Sequence, residues 1–285
     1  MRKIIFLADL FKGQALGGAE LHDAVVAEYF EKKGVLKDRV NCQYLTDEYL
    51  IENRDSIWFI GNFAHLSSEH KAYLSENVTY LIYEHDYKFC KTRNPIGYLN
   101  FVCPKHDKTN INFYAKAKKV ICLSKFHREI FDKNIDTGNL ENIHCSMWSD
   151  SDLDFISEVE KKYRNNKKDK FAIIDSKNPI KKTAETRDFC DKNNIEYDLI
   201  ASPDYRSFLE TMALYKGLIF QTGHPEPTPR VAIEAKMLGC SFKSQKGLIG
   251  VAHEDYFYLS GQEMIEKVRE LRDVALENIW EWIYE

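Results

Sequence analysis

Short apolar runs separated by longer polar segments organise this chain. Runs at 4–8, 57–60, 80–83 and 120–123 have the length and the β-branched or aromatic content of buried strands. After the first of them Leu21, Val25, Val26, Tyr29 and Phe30 recur at helical spacing, and the polar stretches 67–76 and 110–117 leave room for helices between the later runs. A densely charged stretch, 161–170, breaks the alternation and reads as a linker. Strands then resume at 171–174, 197–201, 217–220 and, more weakly, 241–243, with a helix predicted over 230–238. The tail 264–284 is amphipathic: Ile265, Val268, Leu271, Val274, Leu276, Ile279, Trp280 and Trp282 form a helical apolar stripe suited to core packing. Alternating strands and helices predict parallel sheets with helices on both faces. The expected division is a first α/β domain at 1–165, a second at 166–262, and a terminal helix at 263–285 packing on the first.

Composition narrows this picture. A chain of 285 residues suits two moderate domains, each able to bury its own core. No apolar run is long enough to span a bilayer and the first strand begins almost at once, so a cytoplasmic protein without signal peptide or transmembrane segment is expected. The seven cysteines are odd in number, scattered and without a Cys-x-x-Cys pair, which predicts reduced thiols and no zinc site. A net charge of −4 argues against bulk nucleic-acid binding, yet 88–128 carries ten Lys and Arg against Asp107 alone. That segment predicts a basic face, with Lys116, Lys118 and Lys119 at its centre. A polyanion would fit it: DNA, an acidic polysaccharide, or an anionic membrane carrying a lipid-linked acceptor. A solvated surface balanced by nearby acids is the plain alternative.

Chemistry is expected in the loops that follow strands, because ligands of open α/β sheets bind at the carboxyl ends of the strands. The loop after the first strand holds Gly13, Gly17 and Gly18, which let backbone N–H groups approach a ligand. These are not spaced as Gly-x-Gly-x-x-Gly, so a nicotinamide dehydrogenase is disfavoured. Glu84-His85-Asp86 follows the 80–83 strand, and His85 there can hydrogen-bond a sugar hydroxyl or move a proton. Lys177, Lys181 and Lys182 cluster after the 171–174 strand at a helix start, where acids are usual, which suggests a bound anion. The stretch 224–240 is the most informative. Its prolines separate a buried strand from a helix, with Glu226 in the loop, Thr228 and Arg230 at the helix start and Glu234 one turn on.

Pro225, Glu226, Glu234, Ala235 and Gly239 after a buried strand resemble the Glu-x7-Glu signature of retaining glycosyltransferases with the two-domain GT-B fold. Gly17-Gly18-Ala19-Glu20 and His85-Asp86 are similar to segments of the same family, as is 247–254 to its last small loop. The resemblance implies two Rossmann-like, doubly wound α/β domains facing a cleft, with a C-terminal helix crossing back to the first. It implies transfer of a sugar from a nucleotide-sugar donor to a hydroxyl with retained configuration, the acceptor being a glycan or lipid-linked glycan. Glu226 would hold the donor sugar and Glu234 the ribose. The lysines Lys177, Lys181 and Lys182 with nearby N–H groups would serve the diphosphate, Gly17, Gly18, Thr228 and Arg230 would also bind the donor, and His85 and Lys182 would be catalytic with Glu226. Lys177 stands where the family has Arg, which removes a bidentate phosphate fork that Lys181 or Arg230 would have to replace. No cofactor or metal is implied, since lysines and helix dipoles stabilise the leaving phosphate. The alternatives are transfer to hydroxymethylated bases of DNA, a GT-B epimerase or phosphorylase, or a non-catalytic protein that binds sugar nucleotides or nucleic acid.

Overall fold

The computed structural model describes every residue except Leu16, Pro203 and Lys246. It divides into two compact units, Met1–Trp148 with Arg272–Glu285, and Ser149–Leu271. In the first unit six parallel strands, β1 (Ile4–Ala8), β2 (Leu36–Asn41), β3 (Ile57–Ile60), β4 (Thr79–Tyr83), β5 (Lys119–Cys122) and β6 (Leu140–Asn142), run in the order β2-β1-β3-β4-β5-β6. Helices α1 (Gly18–Lys32), α2 (Asp47–Glu52), α3 (Ser68–Asn77), α4 (Ile111–Lys116) and α5 (Lys125–Asp132) connect them. Every residue of β1 and β3 is buried, which is why these strands read as unbroken apolar runs. The edge strand β2 has the sequence LKDRVN with its middle exposed, and β6 has three residues; neither carries an apolar run, so the sequence pattern passes over both. Because β1 pairs with β2 on one side and β3 on the other, the chain reverses its direction of winding between β1 and β3. That is the position where a crevice opens at the carboxyl edge of such a sheet.

The second unit has four parallel strands, β6 of the first unit being followed by α6 (Asp150–Tyr163), β7 (Lys168–Ile174), α7 (Thr183–Lys192), β8 (Tyr197–Ile200), α8 (Tyr205–Ala213), β9 (Tyr215–Ile219), α9 (Arg230–Met237) and β10 (Ser241–Lys243). Their order is β10-β9-β7-β8, so winding reverses between β7 and β9. Gly217 sits at the middle of this sheet; a Cβ there would lie 2.6 Å from the Phe171 ring and 2.7 Å from the Ser241 carbonyl, so only glycine fits.

The charged stretch 161–170 is not a linker. It is the end of α6, a short turn and the start of β7, and its charges are used locally. Arg164 pairs with Glu160 at 2.6 Å, and Lys167 Nζ donates to the carbonyls of Ala213 and Leu238, each at 2.9 Å, closing the ends of α8 and α9. A last helix, α10 (Gly261–Tyr284), begins in the second unit and ends in the first. Its part within the first unit buries Leu276, Ile279 and Ile283, and Tyr284 OH donates to the Arg2 carbonyl at 2.9 Å. Val274, predicted to lie on the apolar stripe, is instead exposed, and the neighbouring Ala275 is buried in its place.

Candidate functional site

In the second unit the loops after β7 and β9 meet at the point where winding reverses. Gly223 N–H donates to the Ile180 carbonyl at 2.8 Å, and Lys181 Nζ donates to Glu226 Oε1 at 3.2 Å. Thr222 Oγ1 lies 3.4 Å from the same carboxylate oxygen, and Lys181 also stands over the Phe220 ring. Glu226 is held in extended backbone by a bridge to Ile249, in the predicted small loop after β10. Its side chain keeps 17% exposure and that of Lys181 keeps 33%, so both groups reach solvent. Lys182 closes the β7 loop with φ +49°, a left-handed conformation rare outside glycine and asparagine, and its side chain lies against Gly223 and donates to Glu185 at 2.6 Å. Lys177 is exposed on the same loop.

Glu234 and Arg230 are placed differently from Glu226. They pair one turn apart on α9 at 3.4 Å, both buried, and Tyr205 completes the group. Tyr205 OH donates to Glu234 Oε1 at 2.6 Å and accepts from Arg230 Nη2 at 3.0 Å. Burial, then the Glu234 charge, raises the Tyr205 pKa well above the ordinary tyrosine value, so it remains a donor at neutral pH. Arg230 is therefore committed to Glu234 and Tyr205, and the two glutamates have separate cations. Thr228 is buried just before the α9 N-terminus.

In the first unit, His85 leaves the carboxyl end of β4 and its Nε2 lies 2.8 Å from Asp23 Oδ1 on α1, with both side chains almost fully buried. Gly61, directly after β3, makes room for that carboxylate: a Cβ there would lie 2.6 Å from Asp23 Oδ2. An Nε2–H donated to Asp23 leaves Nδ1 as the acceptor nitrogen of His85. The neighbouring loop is fixed by a buried ionic cluster. Lys88, 2% exposed, donates to Glu84, to Asp86 at 3.0 Å and to Asn62 at 3.0 Å; Tyr114 OH donates to Glu84 at 2.5 Å; Arg93 pairs with Asp86. Burial alone would lower the Lys88 pKa, but Asp86 and Glu84 more than offset it and hold the ammonium charged. Burial pushes His127 down to about 3, and its Nε2 bonds the Asp86 carbonyl at 2.9 Å. Of the predicted glycine loop, Gly17 is the extended N-cap of α1 and Gly18 its first residue, with the Glu20 carboxylate folded back over Gly17; Leu16 lies outside the described residues.

No family model and no curated protein matches the chain. Solved structures do. It is similar to HepE of Anabaena in complex with UDP and glucose, at 14% identity over 96% of this chain and 89% of that one, with a TM-score of 0.53. It is similar to sucrose-phosphate synthase of Thermosynechococcus elongatus at 10% identity over 99% and 98%, with a TM-score of 0.63. An alpha-glucosyltransferase in complex with UDP and a 13-mer DNA containing a HMU base gives 12% identity over 100% and 95%, with a TM-score of 0.52. The chain has the GT-B fold. At such identities the likeness is one of architecture, and the chemistry must be argued from this chain's own residues.

Within the GT-B frame two residues not singled out in the sequence, Asp23 and Tyr205, stand at the carboxyl edges, and Glu84, named there beside His85, proves to pair with Lys88. Asp23 was detectable, since His22 and Asp23 fall four residues before Val26 and Ala27 on the buried face of α1. The basic patch stands apart from these groups. Lys116, Lys118 and Lys119 lie at the end of α4 and the start of β5, the amino edge of the sheet, whereas His85 lies at its carboxyl edge. Lys119 donates to Glu141 at 2.5 Å and Lys118 to the Ile283 carbonyl at 3.2 Å. Two Asp-x-Asp runs, Asp150-Ser151-Asp152 and Asp152-Leu153-Asp154, form the start of α6, where Arg269 pairs with Asp150 at 2.5 Å and Asp154 at 2.7 Å. No helix among the described residues is long and apolar enough to cross a membrane.

Proposed function

We propose that this protein is a glycosyltransferase that moves a sugar from a nucleotide-sugar donor to an acceptor hydroxyl, with retained configuration and without a metal. The observation that carries the reading is the Lys181–Glu226 contact where winding reverses in the second unit, a partly exposed cation and carboxylate supplied by two different loops. A surface pair of this kind contributes about 0–1 kcal/mol, so Lys181 can exchange Glu226 for phosphate oxygens at little cost. Glu226 is then free to accept hydrogen bonds from the donor sugar. Lys182 and the first N–H groups of α9 add positive potential where charge grows on the leaving nucleoside diphosphate. Glu234, with Tyr205, offers a carboxylate for the ribose hydroxyls. In the first unit His85, oriented by Asp23, presents Nδ1 to a sugar hydroxyl.

The acceptor we favour is a glycan or lipid-linked glycan. Transfer to hydroxymethylated DNA is the second reading, motivated by the DNA in the alpha-glucosyltransferase complex. Incubation with a mixed nucleotide-sugar pool and candidate acceptors, followed by mass spectrometry and NMR of the product anomer, tests the proposal. Donor consumption that survives a chelator, with sugar on the acceptor in the donor's configuration, is the expected result. Absence of donor turnover with every acceptor, or turnover indifferent to Glu226→Ala, would count against it.

A further inference from the structure

Between β4 and α4 the chain makes a long excursion, 84–110, that contains no α-helix. Its inner side is firmly anchored. Tyr98 and Phe101 pack on the main core of the unit, Phe101 meets Phe126 edge-on at 5.7 Å, and Tyr98 OH donates to Asp107 at 2.7 Å. The buried Asn134 accepts from Cys103 N–H and donates to the Phe101 carbonyl, both at 2.8 Å. Asn100 and Phe101 both take positive φ, +52° and +64°, a strained arrangement that turns Phe101 inward and its neighbour Leu99 outward.

The outer side is apolar where a merely soluble loop would be polar. Ile96, Leu99 and Val102 are 39%, 86% and 42% exposed, three of the eleven exposed large hydrophobics among the described residues, and they fall within seven positions. Leu99 is the most exposed of the eleven. The flanks are basic. Lys91 N–H bonds the Asp107 carbonyl at 2.8 Å, which brings Lys91 beside the Lys105–Asp107 turn, and Lys91 and Lys105 are both exposed. Asp107, the lone acid of 88–110, is occupied by Tyr98 and by His106 at 3.5 Å.

We propose that this tip docks on an anionic lipid bilayer, with Ile96, Leu99 and Val102 entering the interface and Lys91 and Lys105 on the phosphates. Deepening the transferase reading, on which it rests for its purpose, it makes the acceptor a lipid-linked one. The chemistry favours lipid over nucleic acid because the three outward apolar side chains are aliphatic, the one exposed ring of the tip, His106, lies 3.5 Å from the Asp107 carboxylate, and the one arginine, Arg93, is engaged by Asp86. Aliphatic groups gain most in a hydrocarbon boundary, and lysines beside it add attraction to negatively charged headgroups.

The intact protein is sedimented with vesicles of phosphatidylglycerol and phosphatidylcholine, and with phosphatidylcholine alone. Binding to the first, weakening as salt rises, is expected, with little on the second. Ile96→Ser, Leu99→Ser and Val102→Ser combined should lower binding by roughly tenfold or more, as should Lys91→Gln with Lys105→Gln. Leu199→Ser, an exposed apolar site in the other unit, should leave it unchanged. Equal binding by the triple variant, no binding to anionic vesicles, or a tip-dependent capture of duplex DNA in place of vesicles overturns the proposal. Donor hydrolysis without vesicles reads the transferase separately: docking without hydrolysis removes the transferase and leaves the docking, while hydrolysis without docking does the reverse.

Discussion

The charges around His85 at the carboxyl edge of the first sheet and those around Glu226 at the carboxyl edge of the second are treated in opposite ways. In the first unit Lys88, Glu84, Asp23 and His85 are nearly sealed from solvent and satisfy one another. In the second, Lys181, Lys182 and Glu226 reach water through contacts that cost little to exchange. A sealed ionic cluster must be complete in order to fold, because a buried charge without its partner is heavily penalised. A half-exposed cluster can stay incomplete until an anion arrives. Under the proposed function, the first edge would be a preorganised support that holds His85, and the second a receiving surface for a negatively charged donor.

The largest test of this contrast is Lys88→Ala. It strands Glu84 in the core and should destabilise the first unit by about 3–5 kcal/mol in denaturant unfolding; a loss below about 1 kcal/mol would mean the cluster is not sealed. His127 sharpens the same point through pH. Its folded pKa, about 3, lies below the free value of 6.5, so its contribution to stability is complete above pH 6.5 and is lost as pH falls toward 3. Within that window the loss is about 1.4 kcal/mol per pH unit, and comparison with His127→Gln, which cannot titrate, isolates it.

At the exposed cluster of the second unit, Lys181, Lys182 and Glu226, charge removal should spare stability and strike function. Glu226→Ala is expected to lower turnover roughly 10- to 100-fold, the worth of a charged hydrogen bond, with nucleoside diphosphate affinity nearly kept. Glu234→Ala should do the reverse and also cost stability, since Arg230 and Tyr205 are left buried. Identical kinetic profiles for the two variants would erase the distinction drawn between the glutamates.

How much of this was legible depended on where each residue's partner lies in sequence. Strands buried on both faces announce themselves as apolar runs, and the 217–240 segment carries strand, loop and helix start within one local pattern. The charged edge strand β2 and the linker expected at 161–170 did not follow that logic. Local composition there reflects partners elsewhere, such as the Ala213 and Leu238 carbonyls taken by Lys167. Asp23 and His85 are 62 positions apart, and only the pairing of β3 with β1 and β4 brings α1 beside the β4 loop. Where the predicted basic patch lies in the fold was hidden for a related reason. A run of lysines has a net sign in sequence, but whether it falls at the amino or carboxyl edge is decided by where the strand begins.

Asp23→Asn is the finer probe of the first edge. An amide keeps the size of the side chain but can offer its N–H to Nε2, which favours the tautomer that protonates Nδ1. Turnover should fall on the order of tenfold, at the low end for proton-handling groups, with nucleoside diphosphate affinity unchanged. Asp23→Glu should restore part of it if orientation is the role, and the pH dependence of turnover should move in Asp23→Asn alone. An equal loss in both variants with unaltered pH profiles would make Asp23 a packing residue.

The smallest expected effect separates charge from backbone at Lys182. Its φ of +49° is strained for lysine, so Lys182→Gly relieves the backbone while deleting the ammonium. The variant should be as stable as the parent or more so, by up to about 1 kcal/mol. It should nevertheless bind nucleoside diphosphate several-fold more weakly, because a phosphate contact is lost. Lys177→Ala, on the exposed part of the same loop, should weaken binding less. If Lys182→Gly gained stability and kept full affinity in calorimetric titration, the strained lysine would have no part in holding the donor. The receiving surface would then shrink to Lys181, Glu226 and the N-terminus of α9.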